Sequence, residues 1–234
     1  MCKGQAPGPS GWTGEMLLPL LSCPDAMDLL AGFITDFRNG ILPDELKPYL
    51  LAGNLIPFAK LNSEKPRPVA VGEVFYRVVT GYTIDPNQST IAEIVAPIQL
   101  GIGVRGGVET AHHYINGLAS DPALGLVAIT VDQSNAFNVR ERSKLLGALY
   151  KEEKLDTLWR LGHWAYSKDT PLWLRDTTGN VVHSISSSNG VRQGCGLGSV
   201  LYSLSLKEHY HMAATSTPGF RAVAILDDFT IMTN

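Results

Sequence analysis

The chain has 234 residues, 44% hydrophobic and 18% charged, with a net charge of −3 and a sequence pI near 6.1. This composition excludes a disordered polymer and allows one sizeable core or two small joined lobes. It argues against a stand-alone basic nucleic-acid binder, but a local basic groove remains open because a field depends on how charge is distributed as well as on its sum.

Cys2, Cys23 and Cys195 are scattered and form neither a disulfide framework nor a zinc spacing. A reducing, intracellular setting is the simpler expectation. The opening "MCKGQAPGPSGWTG" lacks the apolar core of a signal peptide, and no apolar run approaches the length of a membrane span.

In chain order, the Gly- and Pro-rich "GQAPGPSGWTGE" predicts a loop. "TGEMLLPLL" and "PDAMDLLAGFITDFRNG" carry apolar residues at helical spacing, the second ending at Gly40 as a C-cap. "LPDELKPYLLAG" predicts a short helix or turn. "NLIPFAKLN" predicts a strand, "SEKP" a loop, and "RPVAVGEVFYRVVTGYT" a second segment, with Lys60, Lys65 and Arg67 clustered around that loop. "STIAEIVAPIQLGIGVRGGVETAHHYINGLAS" predicts a helix, a glycine-rich turn and another helix. "LGLVAITVDQSNAFN" is the cleanest buried strand in the chain and ends at Asp132. "RERSKLLGALYKEEKLDTLWRLGHWAYS" predicts helix, and "PLWLRDTTGNVVHSIS" a hairpin turning at Gly179-Asn180. "NGVRQGCGLGSVLYSLSLKEHYHMAAT" predicts a glycine-rich loop entering a helix. Two short strands, "RAVAIL" and "FTIMT", flank Asp227 and Asp228.

Adjacent acids within a strand would point to opposite faces, and an unpaired buried charge is costly. The Asp pair therefore reads as a solvent-exposed turn, as a frayed terminus, or as part of a metal site. Asp132 alone reads as an N-cap for the helix after it, or as a carboxylate held at a strand end where a cation could bind. Mg²⁺ takes one or two carboxylates together with phosphate oxygens and water. Two such ions about 3.5–4 Å apart can activate an attacking hydroxyl and stabilise a leaving pyrophosphate. If their strands pair, Asp132 and Asp227-Asp228 would supply the acids.

"GIGVRG", Gly101 to Gly106, fits the G-x-G-x-x-G of a dinucleotide-binding turn, with Asp132 as the later acid. Pro97 in the preceding segment and the missing βαβ units favour a simple glycine turn instead. "GVRQGCGLG" is either a flexible loop capping a helix or a close backbone approach to a nucleotide or paired base. The basic loop around Lys60, Lys65 and Arg67 reads by itself as a solvated face. His112-His113 and His209 to His211 lack a third ligand at zinc-like spacing and read as helix-surface or core residues.

Taken in order, "GPSGWTGE", "LIPFAK…KPRPVAVGEVFYR", "QLGIGVRGGVETA", "VDQSNAFN", "GVRQGCGLGSVLYSLSL" and "AILDDF" resemble the successive motifs of a reverse transcriptase. The match is nearest to the type carried by non-LTR retrotransposons and runs from about Gly8 to Phe229. The resemblance implies an α+β fold: a fingers-like region over residues 1–121, and over 122–234 a palm whose antiparallel sheet is backed by helices, incomplete at its C-terminus and without a thumb. It implies an RNA-directed DNA polymerase using an RNA template, a DNA primer and dNTPs, with two Mg²⁺ ions for which Mn²⁺ could substitute. Asp132 and Asp227 match the metal-binding aspartates, with Asp228 a supporting ligand. Phe137 matches the aromatic that closes against the sugar 2′-hydroxyl. Gln193 and Gly194 match the loop that supports the incoming nucleotide and template, and Arg67 and Lys60 the residues that grip the triphosphate. A nuclear location follows by the same analogy, and no membrane is implied. The oligomeric state is left open.

Some positions depart from the family pattern. Ile225 stands where an aromatic is common, and Gly196 and Ser199 where prolines are. The family continues beyond the Asp-Asp strand, so a truncated or decayed, inactive copy is the alternative expectation. On that reading "FTIMTN" would be the weakest part of the fold.

Overall fold

Proline and glycine set the first boundaries of the fold. The computed structural model describes residues 4–60, 63–216 and 218–234; at Lys60 and residues 63–65 only the backbone is described. A short helix α1 (Gly14–Leu17) and a 3-10 turn (Leu18–Ser22) lead into α2 (Pro24–Arg38). Pro24 takes the first helical position, where a missing N–H costs no hydrogen bond. Gly40 ends the helix as expected: its backbone is left-handed (φ 64°), its N–H bonds to Phe37 O, and the Ile41 N–H returns to Asp36 O. That pair of bonds satisfies carbonyls the helix would otherwise leave open.

After α3 (Lys47–Leu50) comes an antiparallel hairpin of β1 (Gly53–Lys60) and β2 (Ser63–Gly72). "SEKP" is therefore not a loop, since Ser63 to Pro66 belong to β2. Pro66 and Pro68 are tolerated because β2 lies at the sheet edge, where a strand can lack donors. Three helices follow: α4 (Val74–Ile84), α5 (Gln88–Val95) and α6 (Gly107–Ala119).

Next come β3 (Val127–Val131), α7 (Ala136–Val139), α8 (Arg142–Tyr150) and α9 (Asp156–Tyr166). The strands β4 (Thr170–Arg175) and β5 (Val181–Ser187) form the expected hairpin. Its turn is held by Asp176, whose Oδ1 accepts the N–H groups of Thr178 and Asn180, both at 2.9 Å. β4 also runs parallel to β1, giving a four-stranded sheet in the order β2-β1-β4-β5. Strands from either side of residue 121 thus share one sheet.

The long helix α10 (Gly196–Thr215) is buried on nearly every side over its first half, through Leu197, Val200, Leu201, Tyr202, Leu204 and Leu206. Its run "LGSVLYSLSL" carries only apolar residues, glycine, serine and one tyrosine and no charge on any face, as a central helix requires. α4, α5 and α8 pack around it. Phe37, fully buried, lies 4.9 Å from Trp164 and 5.9 Å from Phe33, ring centre to ring centre. Truncating such a residue costs about 3–5 kcal/mol.

The second sheet is antiparallel, with β6 (Arg221–Ile225) and β7 (Asp228–Thr233) in the order β3-β7-β6. α10 and α6 back it at β6. The α+β architecture, with an antiparallel palm-like sheet backed by helices, is the one the sequence led us to expect.

Two expectations about this sheet are corrected. β3 is exposed along its whole length, with Val127 62%, Ile129 51% and Val131 40% accessible. It is an edge strand paired only with β7, and among the described residues no helix covers it. "FTIMTN" is in turn the sheet's central strand rather than its weakest one. β7 pairs on both sides, Phe229 and Met232 are buried, and Phe229 stacks on Tyr210 at 4.4 Å.

Candidate active site

The end of the three-stranded sheet brings acids from separate strands together. Val131 pairs with Phe229 and Ile225 with Asp228. Asp132 directly follows β3, and Asp228 is the first residue of β7, so the same register brings both to this end of the sheet. Leu226 and Asp227 are the two turn residues between β6 and β7. Leu226 has a left-handed backbone (φ 55°), a conformation that costs a non-glycine residue about 1–3 kcal/mol.

A cavity of about 500 Å³ opens at this point. Arg67, Asp132, Phe137, Arg192, Gln193, Gly194, Ser199, Leu226, Asp227 and Asp228 line it. A smaller cavity of about 300 Å³ shares Arg67, Asp132, Gln193 and Asp227 with it, so the two form one cleft. Of the residues singled out in the sequence, this cleft gathers Arg67, Asp132, Phe137, Gln193, Gly194, Asp227 and Asp228. The side chains of Lys60 and Lys65 lie outside the described residues. His112, His113, His209 and His211 are exposed on α6 and α10, away from the cleft.

Burial, first, holds the Asp227 carboxyl above its ordinary range, and the negative charges of Asp228 and Asp132 push it the same way, while Arg67 pulls it down. The same acids act on Tyr210, which burial and then Asp227 and Asp228 push up to about 12. Like charges are thus held close enough to oppose one another's ionisation, a situation a divalent cation relieves.

These acids are hard oxygen donors of the kind Mg²⁺ and Mn²⁺ take. Among the described residues, no three His, Cys, Asp or Glu side chains form a group that could hold a metal ion by themselves. Mg²⁺ needs only one or two carboxylates when water and phosphate oxygens complete its shell, so Asp132 with Asp227 fits as a partial ligand set.

The walls of the cleft are fixed by backbone contacts. Asn135 is left-handed (φ 53°) and starts α7. Behind it the Val191 N–H donates to Phe137 O at 2.7 Å and the Gly190 N–H to Arg140 O at 2.9 Å. Gln193 O accepts the Ala70 N–H of β2, which joins the glycine loop to the hairpin carrying Arg67. Gly194 has φ 97°, and a Cβ there would stand 3.3 Å from Ala70 O. The Phe137 ring stacks on Tyr202 at 4.4 Å, and the Tyr202 hydroxyl donates to Gln133 Oε1 at 3.0 Å.

Sequence reasoning missed two contributors. Arg192 is 5% exposed, with its guanidinium 5.2 Å from the Tyr76 ring and 5.6 Å from Tyr166, and it donates to Leu51 O. Its place inside "GVRQG" was the available signal. Gln99 is the other: its side-chain amide bonds to Leu226, next to Asp227. The first two glycines of "GIGVRG" meet protein, not open space. A Cβ at Gly101 would stand 2.7 Å from Leu226 N, and one at Gly103 2.5 Å from Gln88 O, so no pyrophosphate cradle is free beside them.

Over 231 residues, 99% of its length, the chain is 29% identical to the Retrotransposable element SLACS 132 kDa protein of Trypanosoma brucei gambiense. The chain is thus similar in sequence to part of a retrotransposon protein. It spans 19% of that relative's length. No protein-family profile matches the chain. Among solved structures it is similar to telomerase from Candida albicans in complex with a fragment of telomeric RNA. That match has a TM-score of 0.51 and 13% identity, and covers 82% of this chain and 39% of the telomerase. It is also similar to apo telomerase from Candida tropicalis truncated from its C-terminal domain, with a TM-score of 0.50 and 13% identity, covering 80% of this chain and 44% of the other. The likeness to telomerase is one of fold.

Proposed function

We propose that the chain is the fingers-and-palm part of an RNA-directed DNA polymerase of retrotransposon type, which joins a dNTP to a primer 3′-hydroxyl. The observation that carries this reading is the single cleft lined by Asp132, just after β3, by Asp227 and Asp228 of the β6–β7 hairpin, and by Arg67.

In this reading Asp132 and Asp227 hold Mg²⁺, or Mn²⁺ in its place, and Asp228 assists. When bound, two such ions supply activation of the attacking hydroxyl and neutralisation of charge on the leaving pyrophosphate. Arg67, with Lys60 on the other strand of its hairpin, grips the triphosphate, because charge developing on phosphate calls for fixed cations. Phe137, braced by Tyr202, walls off the sugar edge that would carry a 2′-hydroxyl. Gln193 and Gly194 support the incoming base and the template through a backbone already tied to β2. RNA template, DNA primer and dNTP are the partners, and a nuclear location is part of the same proposal. Among the described residues, no helix is long and apolar enough to cross a membrane.

The test is primer extension on a primed RNA template with Mg²⁺ and dNTPs, using the chain alone, the chain in its full reading frame, and Asp227→Asn in each. The proposal expects template-directed extension that needs Mg²⁺ and is lost in the variant. No extension by the full reading frame would contradict it and favour an inactive remnant.

A further inference from the structure

The turn that carries Asp227 is not held by its own hairpin alone. Gln99 is 2% exposed and sits outside both sheets, in the segment between α5 and α6. Residues 98–100 run beside β6: the Leu100 N–H donates to Ala224 O at 2.9 Å, and the Ala224 N–H to Ile98 O at 2.8 Å. This short parallel bridge brings the Gln99 side chain to the hairpin tip. There the Leu226 N–H donates to Gln99 Oε1 at 2.8 Å, and Gln99 Nε2 donates to Leu226 O at 3.0 Å. The Gly101 N–H donates to the same Oε1 at 2.9 Å. One amide thus captures both backbone groups of Leu226, and the two N–H groups aimed at Oε1 fix which way round it sits. The Tyr210 hydroxyl adds a second donor to Leu226 O at 3.1 Å.

We propose that Gln99 is a positioning residue: it clamps Leu226 in its left-handed conformation and so holds the Asp227 carboxylate toward Asp132. This rests on reading the cleft as a metal-dependent nucleotidyl-transfer site. The logic is that of an outer partner that orients a metal ligand without touching the metal. Glycine, the residue that adopts a left-handed turn freely, is absent at position 226, so the conformation has to be imposed from outside. Gly101 is what lets Gln99 approach, because a Cβ there would collide with Leu226 N and Gln99 Oε1.

The test compares Gln99→Met, which keeps the length and apolar bulk but no hydrogen bonds, with Gln99→Glu, which keeps the two acceptor bonds. The first readout is amide hydrogen exchange at Leu226 by NMR, which needs no activity. Gln99→Met should speed exchange at Leu226 by roughly tenfold or more while Thr230 in β7 stays protected, and Gln99→Glu should keep Leu226 slow. The second is Mn²⁺ affinity by electron paramagnetic resonance, which should fall about 10–100-fold in Gln99→Met. The third is primer extension, where kcat should fall with KM for dNTP unchanged. Unchanged exchange and unchanged Mn²⁺ affinity in Gln99→Met would overturn the clamp and leave Gln99 a packing residue. If Gln99→Met does not fold, Tyr210→Phe, which removes one donor from the same carbonyl, must weaken Mn²⁺ binding for the clamp to stand. Absence of extension by the unsubstituted protein would count against nucleotidyl transfer, whereas the exchange readout would still decide the clamp.

Discussion

Val131 pairs with Phe229 in the last full rung of the three-stranded sheet, and this pair brings Asp132 to the end of the β6–β7 hairpin that carries Asp227 and Asp228. Neither strand could present the acids alone. β3 delivers one carboxylate at its end, and the β6–β7 hairpin delivers two at its tip, so the site exists only once the rung has formed. Its burial and like charges work against the metal-free fold, which makes the cost of the site measurable.

Asp227→Asn removes one of three opposing carboxylates. The variant should be as stable as the parent or more so in metal-free buffer, because the Asp227 carboxyl is held above its ordinary range by burial, Asp228 and Asp132. Extension should fall by more than about a hundredfold, the scale of losing one preorganised charged group. Thermal melts with and without Mn²⁺ check this: added metal should raise the melting temperature of the parent and leave that of the variant unmoved.

Arg67 and Phe137 should separate binding from sugar choice. Arg67 is exposed and lines both parts of the cleft. Arg67→Ala should raise KM for dNTP roughly tenfold, with a change in stability of less than about 0.5 kcal/mol. Phe137→Ala should admit ribonucleotides, raising their kcat/KM relative to dNTPs about tenfold or more. Single-nucleotide incorporation with matched dNTP and rNTP reads both effects.

Gly190→Ala should be among the most damaging substitutions. Gly190 has φ 60°, and a Cβ there would stand 2.3 Å from Phe137 O and from the Asn138 carbonyl carbon, both backbone. Relief would require parting the loop from α7. A loss of about 2–4 kcal/mol is expected, and at about 2–4 °C per kcal/mol for a chain of this size calorimetry would register it clearly.

A pH effect should come from Asp44. Its hydrogen bond to Lys168, and then that to Lys47 (3.0 Å), hold its carboxyl below the ordinary value. A carboxyl lowered in the folded state adds stability that is present above its unfolded pKa, about 3.9, and is lost as pH falls through the folded value. Asp44→Asn should therefore be slightly less stable than the parent at pH 7, with the difference shrinking as pH falls below the unfolded value. Urea melts across that range check the sign.

Much of this architecture is legible in the sequence because its signals are local. Gly40 ends α2, Asp176 to Asn180 turn a hairpin, and the apolar run of α10 marks a central helix. The failures share a cause: each depends on a partner distant in sequence. "LVAITV" has the alternation and bulk of a buried strand, but exposure is set by what lies over it, and β3 turned out to be an edge. "SEKP", with Pro66, read as a loop, yet the outer position of β2 in its sheet lets that proline stand in a strand. "FTIMTN" looked unsupported because its two neighbours are β3, almost a hundred residues earlier, and β6. Gln99 carried no chemical signal in the sequence; only the fold that sets residues 98–100 beside β6 gives its amide a role.

The most direct test of the central claim, that Asp132 and Asp227 together hold a divalent ion, is a Mn²⁺ titration followed by electron paramagnetic resonance. The chain, Asp132→Asn, Asp227→Asn and the double variant should be compared, with and without a dNTP. The account predicts saturable binding strengthened by dNTP, weakened by either single change, and weakened no further by combining them than loss of one shared site requires. Binding that survives both substitutions, or no binding in the presence of dNTP, would contradict it.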